Sequence, residues 1–202
     1  SLSDKEKDET EIVLRSFAEY ASVPIINMES ATAHPLQALA DAITIKEFQP
    51  AHRPKIVLSW APHPKALPHA VGNSFTQMMK YMDADFIIAH PEGYALNPKI
   101  TEGIACTTNQ EKALEGADFV YTKNWCSYEQ YGQILRTDDE WMITHEKMQL
   151  TNNGKFMHCL PIRRNIVATD SVLDSYNSLV IQQSQNRIFS AQSVLKQLLE
   201  NG

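Results

Sequence analysis

Glycine is scarce in this chain of 202 residues. There are seven, at positions 72, 93, 103, 116, 132, 154 and 202, and no two lie closer than ten positions apart. Neither GxGxxG nor GxxxxGKS/T can be written at that spacing, so a glycine-rich phosphate cradle and a dinucleotide fingerprint are both excluded. Cysteine is equally sparse. Cys106, Cys126 and Cys159 are an odd number without a CxxC pair, which indicates neither a disulfide framework nor a zinc knuckle and points to a reducing, cytoplasmic compartment. Positive charge is in deficit, 18 Lys and Arg against 24 Asp and Glu, for a formal charge of −6. An acidic chain argues against nucleic acid or a membrane surface as partner, since both are polyanionic, but leaves room for a small anion held by a few local cations. No apolar run approaches the roughly 20 residues of a membrane helix. Internal repeats and low-complexity tracts are lacking as well.

What is present is ordinary globular composition, 43 % hydrophobic and 21 % charged, enough for a core without staples. The pattern along the chain alternates. Residues 4–21 carry Val13, Phe17, Tyr20 and Ala21 at helical spacing, and 23–28 (VPIINM) reads as a short strand. Pro35 suits the first position of a helix whose buried face is Leu36, Leu39, Ala40 and Ile43. Pro50, Arg53 and Pro54 break the pattern and mark a hinge over 49–54. Strands are then expected at 55–60, 85–89, 104–108, 118–122, 155–159 and 179–181. Helices are expected at 71–82, 109–116 (Asn109 as cap, Gly116 as stop), 138–148 and from Asn186 onward. Strands alternating with helices imply an α/β fold with a mainly parallel, Rossmann-like sheet.

In such a sheet ligands bind beyond the carboxyl ends of the strands. The residues expected there are unusually rich in chemistry: Glu29 and His34, His63 and Lys65, His90 and Glu92, Lys123, and His158 to Arg164. Together they suit an anionic substrate that also bears an amine. Each signal alone is weak. His34-Pro35-Leu36-Gln37 at a helix start is ordinarily a capping turn, though a His and a Gln one turn apart near the positive helix end could also stabilise a developing oxyanion. Cys159 at a strand end is ordinarily a buried cysteine, and strand alternation sends its neighbour His158 to the other face, so a Cys–His nucleophile is disfavoured. His63, His69 and His90 lack a carboxylate at ligand spacing, which makes a metal site improbable.

Taken in order, HPLQ (34–37), HCLP (158–161) and Asn186-Arg187 resemble the aspartate/ornithine carbamoyltransferase family. The segments WAPHPKALPHAVGNSF (60–75) and YTKNW (121–125) resemble the branch acting on N-acylated ornithine, the N-succinylornithine enzymes above all. Plain ornithine enzymes carry Asp where Lys123 stands, followed by an SMG turn that this chain lacks. The resemblance spans essentially the whole sequence, with one large departure: the family's Ser-x-Arg-Thr-Arg phosphate loop is absent, which implies that about a domain of N-terminal sequence is missing relative to the family.

The resemblance implies the second, amino-acid-binding domain of the carbamoyltransferase fold at 51–183. Residues 1–50 would be the tail of the carbamoyl-phosphate domain and its interdomain helix, and 184–202 a helix returning to that first domain. It implies transfer of the carbamoyl group of carbamoyl phosphate to the δ-amine of an N-acyl-ornithine in arginine biosynthesis, without metal or organic cofactor, in a cytoplasmic homotrimer. His34 and Gln37 would contact the carbamoyl group. Arg187 and the main chain at Cys159 and Leu160 would complete that site, with the Cys159 side chain positioning and desolvating. Glu29, His63, Lys65, Lys123 and Arg163 would hold the acylated ornithine. N-succinylornithine is favoured over N-acetylornithine because the acetyl enzymes carry a lysine about one turn after the Asn-Arg pair, and 188–193 has none. The alternatives are a plain ornithine carbamoyltransferase and a catalytically inert acyl-ornithine-binding module.

Overall fold

The computed structural model describes residues 2–201. Strands β1 (Lys55–Trp60), β2 (Asp85–Ala89), β3 (Ala105–Thr107), β4 (Phe119–Lys123) and β5 (Lys155–Met157) form one sheet in the order β3-β2-β1-β4-β5, with every pair parallel. The helices among the described residues are α1 (Lys5–Glu9), α2 (Ile12–Tyr20), α3 (Pro35–Glu47), α4 (Ala70–Met79), α5 (Pro98–Thr101), α6 (Gln110–Leu114), α7 (His145–Gln149), α8 (Asp170–Leu173) and α9 (Val180–Asn201).

The central strands are buried on both faces, as a parallel sheet flanked by crossover helices requires; Ile56, Val57, Leu58, Val120 and Tyr121 are fully buried. Helix α4 packs Val71, Phe75 and Met79 onto the sheet, and the Phe75 ring stacks on Tyr121 at 4.3 Å between centroids. Pro35 opens α3 as expected, and the Asn109 side chain caps α6 by accepting from the Lys112 N–H, with Gly116 just beyond at φ 67°.

Four expectations change. The segment 23–28 is irregular and not a strand; it lies outside the sheet, with Val23, Ile25 and Met28 exposed. The helix expected over 4–21 is two helices, because Glu11 between them takes a left-handed φ of 52°. Its carboxylate accepts from the Thr32 N–H (2.8 Å), the Thr32 hydroxyl (2.5 Å) and the Ser30 hydroxyl (2.7 Å), which fastens it to the next segment. Of the helix expected over 138–148, α7 forms only from His145, since the Thr144 side chain caps it and Ile143 bridges to Ala168. At 179–181 the strand reduces to one rung beside β5, a Ser178–Phe156 bridge with the Leu179 N–H on the Phe156 carbonyl. The chain then turns into α9, six residues earlier than the helix start read from the sequence.

Helices α3 and α9 meet through polar faces. Gln37, Asp41 and Thr44 of α3 are buried, and so are Gln183, Asn186 and Ser190 of α9. Gln183 donates to Asp41 Oδ1 at 2.6 Å, Asn186 donates to Thr44 Oγ1 at 3.0 Å and Glu47 Oε2 at 2.8 Å, and the Ser190 hydroxyl donates to the Leu36 carbonyl at 2.7 Å. No helix among the described residues is long and apolar enough to cross a membrane.

Candidate active site

The strand order reverses between β1 and β4. Leaving β1 the chain runs one way toward β2, and β4 lies on its other side, so the loops after these two strands diverge and leave a crevice at their carboxyl ends. A cavity of about 370 Å³ occupies that place. It is lined by Glu29, His34, His63, Leu67, Pro68, Val71, Lys123, Cys159, Leu160, Pro161 and Arg187. Seven residues picked from the sequence thus converge from five separate stretches of chain: Glu29, His34, His63, Lys123, Cys159, Leu160 and Arg187.

His34, His63 and the Cys159–Leu160 turn are positioned by identifiable contacts. His34 caps α3 on one side and is held from α4 on the other, its N–H donating to Ser74 Oγ at 2.8 Å, while Asn73 Nδ2 donates to the Thr32 carbonyl at 3.1 Å. The His34 ring is buried. Its Nε2 lies 3.8 Å from Glu29 Oε2, beyond hydrogen-bond range, and its Nδ1 is buried without a hydrogen bond. Burial holds its pKa below the ordinary imidazole value, with Glu29 opposing and Arg187 and Lys123 assisting, so the ring is neutral near pH 7. His63 is neutral for the same reason, burial first and then the neighbouring cations Arg163, Lys123 and Lys65. Arg163 Nε donates to His63 Nε2 at 3.2 Å, and His63 Nδ1 lies 2.9 Å from the Lys65 carbonyl and 3.1 Å from the Lys65 N–H.

The β5 end supplies the floor. The His158 N–H donates to Gln183 Oε1 at 2.9 Å, and the Leu160 N–H donates to His158 Nδ1 at 2.9 Å. Leu160 holds a left-handed φ of 52° before a cis peptide to Pro161. His158 is buried and its pKa is pushed down to about 3, by burial above all. Burial pushes the Cys159 thiol up, against the pull of Lys123, so the group is a thiol and not a thiolate at neutral pH. Lys123 and Arg187 form no salt bridge among the described residues; two cations therefore face the cavity against one carboxylate, Glu29.

Three candidates stand apart from the lining. Arg163 is exposed and reaches the cavity only through His63. Lys65 is exposed and lies outside the lining. Gln37 is buried one turn inside α3, its Nε2 donating to Asp41 Oδ1 at 2.7 Å and its Oε1 unbonded. The sequence reading missed Asp41, Tyr121 and Gln183, which sit beneath the cavity. The signal was available in part: Gln37, Asp41 and Thr44 recur at helical spacing along one face of α3, and that face is buried, while Leu39 and Ile43, expected inside, are only half-buried.

Comparison with known proteins bears on this geometry. Residues 69–198 match the aspartate/ornithine carbamoyltransferase Asp/Orn binding domain, and residues 5–47 match the carbamoyl-P binding domain of the same family. The chain belongs to the aspartate/ornithine carbamoyltransferase family. It is similar to the N-succinylornithine carbamoyltransferase of Bacteroides fragilis (strain 638R), 50 % identical over 99 % of this chain and 64 % of that protein. Similarity to the N-acetylornithine carbamoyltransferase of Xanthomonas axonopodis pv. citri (strain 306) is 36 % over 96 % of this chain and 63 % of that protein. Among solved structures, N-acetyl-L-ornithine transcarbamylase superposes with a TM-score of 0.89 at 35 % identity, covering 98 % of this chain and 66 % of that one. A variant of it complexed with carbamyl phosphate and N-succinyl-L-norvaline superposes at 0.90. The chain thus spans just under two thirds of the length of these relatives. The parallel α/β fold expected from the sequence is the fold of this family.

Proposed function

We propose that the protein transfers the carbamoyl group of carbamoyl phosphate to the δ-amine of an N-acylated ornithine, N-succinylornithine first and N-acetylornithine next, in arginine biosynthesis. The observation that carries this reading is the pairing, in one crevice, of the neutral donor His34 with two cations, Lys123 and Arg187, that lack carboxylate partners among the described residues. Identity to N-succinylornithine and N-acetylornithine carbamoyltransferases supports the acylated substrate.

In this reading His34, Gln37 and Arg187 take the carbamoyl group, with the main chain at Cys159 and Leu160. The neutral δ-amine attacks the carbamoyl carbon, so a C–N bond forms. The oxyanion that develops is stabilised by hydrogen bonds from His34 and by the charge of Arg187. The bond from that carbon to the phosphate oxygen then breaks, and the departing phosphate takes the proton the amine loses. Lys123, and Arg163 set by its contact with His63, answer the carboxylates of the acylated ornithine, while Glu29 faces its amine end. Lys65, being exposed, would join only at the rim. Cys159, a protonated thiol, packs and excludes water. Residues 1–50 act as the tail of the carbamoyl-phosphate domain with its interdomain helix, 51–183 as the acyl-ornithine domain and 184–202 as the returning helix, within a cytoplasmic homotrimer that uses neither metal nor organic cofactor.

Steady-state kinetics of the full-length protein on ornithine, N-acetylornithine and N-succinylornithine test the reading. The expected order of kcat/KM is succinyl, acetyl, then free ornithine. Equal or better use of free ornithine would transfer the assignment to a plain ornithine carbamoyltransferase. No turnover of carbamoyl phosphate with any of the three would leave a binding module.

A further inference from the structure

A fully buried carboxylate lies directly under the crevice and belongs to none of the roles above. Asp41 sits on α3, seven residues after His34 and four after Gln37. Its Oδ1 accepts two hydrogen bonds, from Gln37 Nε2 at 2.7 Å and from Gln183 Nε2 of α9 at 2.6 Å. Its Oδ2 is unbonded, with the equally unbonded Tyr121 hydroxyl of β4 as its neighbour. Two residues that line the cavity are coupled to Asp41 electrostatically: the Arg187 charge favours its ionised form, and Asp41 in turn raises the Cys159 thiol.

The consequence for Gln37 is definite. An amide side chain has an acceptor end and a donor end, and it can turn over to exchange them. Gln183, its own carbonyl taken by the His158 N–H, already donates to Asp41 Oδ1, so that oxygen is an acceptor whether or not the other carries a proton; it takes the NH2 end of Gln37 and leaves the Gln37 carbonyl oxygen as the free end. That oxygen is buried and without a partner, a state that costs free energy unless a donor arrives. A carbamoyl NH2 is such a donor. Gln183 adds a second constraint: its own amide bridges Asp41 and the His158 N–H, so the carboxylate also ties α9, which carries Arg187, to the strand end that carries Cys159.

We propose that Asp41 is the positioning residue of the carbamoyl site, holding the Gln37 amide in the orientation that presents an acceptor to the carbamoyl NH2. The inference rests on the function proposed above. Its signature is that Asp41 acts through Gln37, which a residue that merely stabilises the fold would not do.

The test is a double-substitution cycle in the full-length protein, read as kcat/KM for carbamoyl phosphate and KM for the acylated ornithine. Asp41→Ala is expected to lower kcat/KM for carbamoyl phosphate about tenfold or more, the worth of a hydrogen bond to a charged group, while KM for the acylated ornithine stays within about twofold. Adding Asp41→Ala to Gln37→Ala should cost less than about twofold further. Asp41→Asn keeps an acceptor at Oδ1 and should retain most activity. Should Asp41→Ala not fold, a second pair of variants decides: Gln37→Glu alone, and Gln37→Glu combined with Asp41→Asn. The single variant sets two carboxylates against each other, the double one restores the hydrogen bond with donor and acceptor exchanged, and rescue is expected. A wild-type protein that turns over normally but shows the same Asp41→Ala loss with and without Gln37, or no rescue when Asp41→Asn is added to Gln37→Glu, overturns this inference alone. A wild-type protein inert toward carbamoyl phosphate overturns the function and the inference together.

Discussion

His34 is a neutral ring held rigid from both sides, its backbone N–H on Ser74 and its ring walled in by burial. A neutral imidazole offers one N–H without adding a full charge to a site that already holds Lys123 and Arg187; under the proposed function its contribution grows only as negative charge develops on the carbamoyl oxygen. His34→Ala in the full-length protein is therefore expected to lower kcat by about 100-fold or more with little change in fold, and circular dichroism alongside kinetics checks both. Undiminished turnover would remove His34 from the chemistry. At Lys123 the expected effect falls on specificity. Under the proposed function, replacing it by Asp reverses the charge that would meet the substrate carboxylates, and an unpaired charge contact is worth about 2–5 kcal/mol, so kcat/KM for the acylated ornithine should drop by more than about tenfold. Competition between acylated and free ornithine measures this, and an unchanged ratio would show that Lys123 serves another contact.

Between elements, the α3–α9 contact is the unusual one, because it is polar where helix packing is ordinarily apolar. Burial raises Asp41 to about 7, against the hydrogen bonds from Gln183 and Gln37 and the charge of Arg187, from an unfolded value of 3.8. The folded state therefore holds a proton that the unfolded state has lost between those two values, and stability from this group declines as pH rises from about 4 to 7. Asp41→Asn removes that dependence. The difference in unfolding free energy, variant minus wild type, is expected to grow by about 2–3 kcal/mol between pH 5 and pH 8, a range that urea melts at the two pH values resolve. A difference that is flat or shrinks with pH would mean that Asp41 is ionised throughout.

The same contact shows where sequence reading stops. The strands at 55–60 and 85–89 were legible to the residue because Ile56, Val57, Leu58 and Ile88 form the apolar runs of a sheet buried on both faces. The positions of His34, Lys123 and Cys159 were legible because strand ends and a helix start place them in advance, whereas Arg187, read at a helix start, lies about two turns inside α9. Asp41 was not legible, since a polar residue on a helix is by default solvated, and only its pairing with Gln183, 142 positions away, makes it internal. The strand read at 23–28 failed for the complementary reason: its apolar residues have strand composition but no neighbouring strand to complete a ladder.

Across the whole molecule, protection from solvent is uneven. The sheet holds fully buried residues on every central strand, whereas α2 buries none of its nine residues and leaves Val13, Phe17 and Tyr20 exposed. Amide hydrogen exchange on the 202-residue chain is expected to be slowest in β1 and β4 and fastest in α2 and 23–28, by several orders of magnitude, since such segments open locally while the core opens only with global unfolding. Uniform protection would contradict the burial pattern.

The crevice at the strand-order reversal draws its walls from position 29 to position 187, and β1 and β4, which frame it, pair across more than sixty residues of chain. Loop-closure entropy makes such long-range pairing a late event in folding, so no partly folded form owns a complete set of ligating groups. A ligand of this crevice can therefore recognise only the finished molecule. Its binding free energy adds in full to the global stability, about 2.7 kcal/mol at a hundredfold excess over Kd, and where the transition state lacks the crevice it acts by slowing unfolding and leaves the folding rate alone.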